Sequence, residues 1–252
     1  MTTTSSNSQS LAGRTALVTG GSAGIGEAVC EALLAQGVEV TAVGLEAPAL
    51  GHPRLTSFVV DLSVPEETTA LASEIAHAGR FDILVNNAGV VRNTLLADVD
   101  EAEYALMMNL HVRSAILLAQ ACLPQMKAQR FGRIVNVASR AIVGLAGRTV
   151  YSASKAALVA MTRTWAMELG QFGITVNAVS PGPTVTPMLT RDIPEHSDRA
   201  AALAASLPAR RLGRPDDVAR AVLFFADPAS DWITGQNLFV CGGGSLGASL
   251  AL

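Results

Sequence analysis

The sequence predicts an α/β fold, a single domain built on a doubly wound parallel sheet with helices on both faces. Three observations carry that expectation. Short apolar segments alternate with longer helical ones along most of the chain, a pitch that implies crossover connections between parallel strands. A glycine-rich turn stands between the first strand and the first helix. Half of the 252 residues are hydrophobic and only 15% are charged, so a large core is available and general disorder is excluded.

Composition also narrows the function. A net charge of −3 implies no basic face, which argues against nucleic acid as the main partner. No apolar run approaches the roughly eighteen residues needed to cross a bilayer, and Met1 to Ser10 is polar and lacks an apolar signal core. The expectation is a soluble cytoplasmic protein with no membrane partner, a flexible tail over residues 1–11 and one domain over 12–252. Cys30, Cys122 and Cys241 are odd in number and far apart, without a CxxC pair. They fit a reducing cytosol and small core positions better than a disulfide framework, and no metal is expected.

Taken in order, Thr15 to Val18 is a short apolar strand, followed directly by Thr19-Gly20-Gly21-Ser22-Ala23-Gly24-Ile25-Gly26. Helical periodicity then runs from Ile25 to about Gln36. Without a Cβ in the way, backbone N–H groups and a helix N-terminus can meet a pyrophosphate, so Gly20, Ser22, Gly24, Ile25 and Gly26 are candidate cofactor residues. Val38 to Val43 is the second strand and Phe58 to Val60 the third, closing on Asp61-Leu62. A carboxylate at that strand end could meet adenine, or could cap the helix expected from Pro65 to Ala76, whose first turn holds Glu66 and Glu67.

Asp82 to Val85 is the fourth strand and ends in Asn86-Asn87-Ala88-Gly89, where two amides can satisfy open backbone groups and the glycine leaves room for a ring. A helical pattern from about Glu101 to Met126 contains Asn109 in an otherwise apolar run, either a structural bridge or a site residue. Arg133 to Val137 is the fifth strand, with Ser139 at its carboxyl end. A helix from Tyr151 to about Gln171 leads to the sixth strand, Thr175 to Val179. Ser180-Pro181-Gly182-Pro183 breaks the pattern, and Thr184 to Leu207 reads as a lid of loop and helix. Pro215 to Ala226 is the last helix and Asn237 to Val240 the last strand.

Tyr151 and Lys155 carry the chemistry. Four residues of spacing put both on one helical face. At roughly 5 Å and an effective dielectric of about 20, the ammonium favours the phenolate by about 3 kcal/mol, on the order of two pK units. Such a phenol becomes an acid/base usable near neutrality. The pairing is unlikely to be accidental, because the only tyrosines are Tyr104 and Tyr151 and the only lysines Lys127 and Lys155.

Together these residues resemble the short-chain dehydrogenase/reductase family over essentially the whole chain, from about Ala12 to Gly244. The family's TGxxxGIG turn stands as Thr19 to Gly26, its NNAG as Asn86 to Gly89, its YxxxK as Tyr151 to Lys155 and its PG turn as Pro181-Gly182. The resemblance implies a seven-stranded Rossmann sheet, NAD or NADP, and hydride transfer between nicotinamide and a secondary alcohol or ketone. It implies that Tyr151 exchanges the proton, that Lys155 holds the nicotinamide ribose and lowers the Tyr151 pKa, and that Ser139 hydrogen-bonds the substrate oxygen. Asn109 would position a water that relays protons through Lys155. Asp61, Leu62, Asn87, Ala88, Gly89, Pro181, Gly182 and either Thr184 or Thr186 would contact the cofactor.

Other expectations are finer. Substrate contacts are expected from Val90 to Asn93, Arg140 to Gly144 and the lid, with Arg92, Arg140 and Arg148 nearby. NAD is expected over NADP, because Ala23, Gly44 and Leu45 stand where the resemblance implies a cation for a 2′-phosphate, although Gly44 also replaces the aspartate that NAD-using relatives place there. Glu46, two residues on, is either a ribose contact or a solvated loop acid, and Arg54 could rescue NADP if the loop folds back. Alanines 153, 156, 157 and 160 suit close helix contact, and the family resemblance implies a homotetramer. Cys241 replaces the acid of the family's VDGG. The alternatives are a 3-oxoacyl-[acyl-carrier-protein] reductase, for which Arg130 is present but Phe172 replaces a second arginine, and a catalytically silent dinucleotide-binding regulator.

Overall fold

The computed structural model describes residues 11–78 and 81–247. In chain order the elements are β1 (Thr15–Thr19), α1 (Gly24–Ala35), β2 (Glu39–Gly44), β3 (Leu55–Val59), α2 (Pro65–Ala78), β4 (Ile83–Asn86) and α3 (Glu101–Met107). A π-helical turn, Met108–Arg113, joins α3 to α4 (Ser114–Gln129). Then come β5 (Gly132–Val137), α5 (Thr149–Leu169), β6 (Ile174–Pro181), α6 (Pro187–Thr190), α7 (Asp198–Ser206), α8 (Pro215–Ala226) and β7 (Asn237–Val240).

The strands form one parallel seven-stranded sheet in the order β3-β2-β1-β4-β5-β6-β7. Chain direction across the sheet reverses between β1 and β4. Connections leave those two strands towards opposite edges, opening a crevice at their carboxyl ends. The strand period of two decides what covers each face. Ala16 and Val18 pack with Val29 and Leu33 of α1 and Val222 and Phe225 of α8. Leu17, between them, packs with Leu71 of α2, Leu118 of α4 and Leu169 of α5.

Several boundaries differ from the sequence expectation. β3 begins at Leu55 rather than Phe58, because the consecutive polar residues Thr56 and Ser57 are both exposed in this edge strand and interrupt the apolar signal. The expected helix from Glu101 is two helices and a π turn. Joined, Glu101–Gln129 is long and apolar enough by composition to cross a bilayer, a run the sequence reading did not find. It packs on α2 and α5 and buries Met107, Leu118 and Met126 in the core. Residues 1–10 of the expected tail lie outside the described residues, and Leu11, its last residue, is already buried in the core.

Candidate active site

A cavity of about 720 Å³ fills the crevice. Its wall includes Gly20, Ser22, Gly24 and Ile25 from the first turn, Asp61 and Leu62 after β3, and Asn87, Ala88 and Gly89 after β4. Ser139, Tyr151, Lys155, Pro181, Gly182, Thr184 and Thr186 complete it. Two of the expected site residues, Gly26 and Asn109, are not part of the wall.

Backbone geometry explains the first turn. Gly20 and Gly24 have φ of +65° and +58°, conformations that a side chain would strain. The first turn of α1 has no side-chain cap, so its orphan N–H groups face the cavity as an anion site. Asn87 fastens this turn to the neighbouring strand: its Nδ2 donates to the carbonyls of Thr19 at 2.8 Å and Gly20 at 3.2 Å. The Thr19 hydroxyl in turn accepts from the backbone N–H of Asn87 and of Ala88, both at 2.9 Å. Gly26 acts from behind: a Cβ there would collide with the Gly20 carbonyl and come within 2.6 Å of Asn87 Nδ2. Its role is the close approach of α1 to the turn, not contact with a ligand. These uncapped amides and Cβ-free walls fit a dinucleotide pyrophosphate.

At the far end, Ser139 and Tyr151 share the cavity wall, and the Ser139 hydroxyl favours the ionised phenol. Ser139 is oriented from below, its Oγ accepting from the Ala141 N–H at 3.1 Å. Burial raises the phenol pKa, and the Ser139 hydroxyl and the Arg148 cation pull it down. The net direction for the phenol is upward, against the expected fall, and Lys155 lies in the same wall. Its Nζ donates to the Val137 carbonyl at 2.9 Å, and the groups lowering the phenol are Ser139 and Arg148. Lys155 itself is buried, makes no ion pair among the described residues, and is pushed down to about 8 by desolvation. An ammonium in that state gains from any ligand that brings it acceptors.

Sequence reasoning missed His111. It sits in the π turn, 2% exposed, and its Nε2 accepts from the Val90 N–H at 3.0 Å. That fixes the proton on Nδ1, which meets Ser154 Oγ at 2.8 Å, and Ser154 donates to the Tyr151 carbonyl at 2.9 Å. The ring also stands edge-on to Tyr151, 5.8 Å between centroids. Burial, then the Lys155 charge, holds its pKa down at about 2. A π turn near functional residues is a recurrent association, yet a lone histidine in an apolar run gives no signal of partners so distant in sequence. Gly89 shares the spot: a Cβ there would lie 3.1 Å from His111 Nε2 and 3.2 Å from Lys155 Nζ. Asn109, two residues from His111, is half-buried.

Asp61, Thr184 and Thr186 all line the cavity. Asp61 Oδ1 accepts from both the N–H (2.8 Å) and the hydroxyl (2.7 Å) of Ser63, so the residue turns the chain and faces the cavity at once. Thr184 donates its hydroxyl to the Gly182 carbonyl at 3.1 Å and Thr186 donates its own to the Thr184 carbonyl at 3.3 Å, and the Thr186 methyl would lie 3.1 Å from a Cβ on Gly24. Thr186 is thus where the lid meets the glycine turn. Of the expected substrate stretches, Val91, Asn93 and lid residues such as Met188 and Ile193 line the cavity, but Arg140 to Gly144 do not. They form a short 3-10 turn, and Arg140 donates to the Gly244 carbonyl at 3.1 Å.

A family profile described as enoyl-(acyl carrier protein) reductase matches residues 20–245. A (2S)-[(R)-hydroxy(phenyl)methyl]succinyl-CoA dehydrogenase subunit of Thauera aromatica is 40% identical over 244 residues, covering 92% of this chain and 97% of the relative. A 3-oxoacyl-[acyl-carrier-protein] reductase of Thermotoga maritima is 36% identical over 244 residues, covering 92% and 98%. A structure described as an NAD(P) dependent gluconate 5-dehydrogenase from Beutenbergia cavernae, with NADP bound at low occupancy, superposes with a TM-score of 0.86. It is 36% identical and the match covers 93% of this chain and 97% of that one.

Proposed function

Because this chain belongs to the short-chain dehydrogenase/reductase family and is an NAD(P)-dependent oxidoreductase of alcohol and ketone groups, we propose that Tyr151 is its acid/base. The observation that supports this most is that Ser139, Tyr151 and Lys155 line one end of the cavity together, with Ser139 favouring the ionised phenol. In the oxidative direction Tyr151 takes the carbinol proton, and in the reductive direction it returns one to the carbonyl oxygen. Ser139 holds that oxygen. Lys155 donates to the nicotinamide ribose, which supplies the acceptors its buried ammonium lacks. A bound nicotinamide contributes hydride acceptance and donation at C4. The amides of Gly20 to Ile25 hold the pyrophosphate, Asp61 and Leu62 the adenine, and Thr186 the nicotinamide amide. Asn109 is proposed to position a relay water from the π turn.

We read NAD as the preferred cofactor. The cations in the cavity wall are Arg148, Lys155 and Arg199, all on the nicotinamide and lid side. The Arg54 guanidinium donates to the Leu34 carbonyl at 3.0 Å, and the Arg54 carbonyl accepts from the N–H of Val40 at the start of β2. It is held at the amino edge of the sheet, away from the ribose. Glu46 is exposed and outside the wall.

A homotetramer in the cytoplasm is proposed on weaker support: exposed Ala153, Ala156, Ala160 and Met167 make a stripe along α5. The second substrate reading, an acyl thioester on a carrier protein, draws on the Thermotoga relative. Against it, Arg130 donates to the Gln171 carbonyl at 2.9 Å before β5 begins, and Phe172 lies under Lys127 at 4.8 Å. Screening secondary alcohols and ketones for nicotinamide absorbance change tests the reading, and a Tyr151→Phe enzyme with near wild-type turnover would remove it.

A further inference from the structure

We propose that the substrate carries a carboxylate close to the reacting carbonyl, and that Arg148 receives it. This rests on the oxidoreductase reading above and names the substrate class within it. Three arginines flank the cavity in sequence, and the structure separates them. Arg140 is tied to the Gly244 carbonyl, Arg92 is exposed and outside the wall, and Arg148 lines the cavity.

Arg148 immediately precedes α5, three residues before Tyr151, so the two share an edge of the helix at its start. The guanidinium is anchored by one bond, from Nη1 to the Arg92 carbonyl at 2.8 Å, which fixes the side chain and leaves a fork of donors. Among the described residues it makes no ion pair. Asp192 lies within electrostatic reach, but its carboxylate is shared with Asn93 at 3.4 Å and Arg191 at 3.6 Å. Arg199, also in the wall, bonds only the Asp192 backbone carbonyl, at 3.4 Å. The substrate end therefore holds two guanidinium groups against one carboxylate, walled otherwise by apolar lid residues. A partly desolvated guanidinium with free donors binds a carboxylate bidentately and discriminates strongly against an uncharged isostere.

The test compares ketones in matched pairs, 4-oxopentanoate and 5-oxohexanoate against their methyl esters, by kcat/KM. The wild type should prefer the acids by at least about tenfold. Arg148→Gln should bring the ratio to about unity, and Arg148→Lys should restore part of it, since the charge returns without the fork. Using a ratio within each variant cancels general losses of activity. Equal use of acid and ester by the wild type, or an unchanged ratio in Arg148→Gln, overturns the proposal. Calorimetry with unreactive hexanoate and hexanamide on cofactor-loaded enzyme separates it from the oxidoreductase reading. Arg148-dependent preference for hexanoate without turnover of any ketone supports the anion site and sinks the reaction. Turnover of neutral ketones without that preference does the reverse, and the absence of both overturns both.

Discussion

The backbone N–H of Val90 ends on the Nε2 of His111 at 3.0 Å, joining the loop after β4 to the π turn that packs on α5. Through Nδ1 and Ser154 the same ring reaches the Tyr151 carbonyl. One neutral imidazole thus ties the cavity loop after β4 to the helix that carries Tyr151.

Truncating that imidazole leaves the half-buried Val90 N–H without its acceptor and takes from Ser154 Oγ the ring N–H it accepts, at about 1 to 3 kcal/mol for the group left bare. His111→Ala should lower the melting temperature by several degrees and raise the cofactor KM, whereas a surface alanine change would do neither. The ring also sets an acid limit. Its pKa is about 2 folded against 6.5 ordinarily, so the folded state binds fewer protons. Its stability contribution is complete above pH 6.5 and is lost as pH falls towards 2. Between pH 6.5 and 4 the wild type should lose melting temperature more steeply than His111→Gln. Parallel slopes would show that the ring is not the group responsible.

Tyr151→Phe should lose several orders of magnitude in turnover while cofactor affinity stays within about a few-fold. Ser139→Ala removes a hydroxyl that lowers the phenol pKa, so the rise of alcohol oxidation with pH should move to more alkaline values. An acid shift would contradict the assigned direction. Lys155, at about 8 in the free protein, must be charged to serve a ribose best. Cofactor affinity should weaken as pH rises through 8, and Lys155→Ala should abolish that dependence along with most turnover.

On cofactor choice, the ratio of kcat/KM for NAD over NADP with one ketone or alcohol at fixed pH should be at least about ten. Arg54→Ala should leave the ratio unchanged, because the guanidinium is spent on the Leu34 carbonyl. A preference for NADP that collapses in Arg54→Ala would place that arginine at the ribose and reverse the reading.

Cys241 is 7% exposed and meets Ser245 Oγ at 3.2 Å. Native enzyme treated with iodoacetamide should retain activity whether or not cofactor is present. Rapid loss, prevented by cofactor and mapped to Cys241 by mass spectrometry, would show otherwise. Cys30 and Cys122, both pushed up to about 12 by burial, should label only on unfolding.

Most of the fold was legible because its signals are local. Alternating strands and helices appear as runs of side chains, and the glycine turn as consecutive residues. What was not legible depends on residues meeting across the chain. β3 lies at the edge, half wetted, so only its end carries an apolar signal. A π turn keeps the apolar period of the helices around it. His111 is defined by partners 21 and 43 residues away, and Arg140 and Arg148 differ only in what each guanidinium finds. Helical spacing put Tyr151 beside Lys155, but the nearest carbonyl to the ammonium belongs to Val137, and no spacing rule contains it.

Gly26 bears on how a mutational scan of this protein should be read. It touches no ligand-facing surface, yet a methyl group there would press on the Gly20 carbonyl and on the amide that fastens the turn. In a selection for activity, position 26 should therefore be as intolerant as Tyr151, and for an unrelated reason. Intolerance at Tyr151 reports a proton that must be moved. Intolerance at Gly26 reports how closely two stretches of main chain must lie, and a score alone does not distinguish the two. A binding assay does: alanine at 26 should weaken the dinucleotide, phenylalanine at 151 should not.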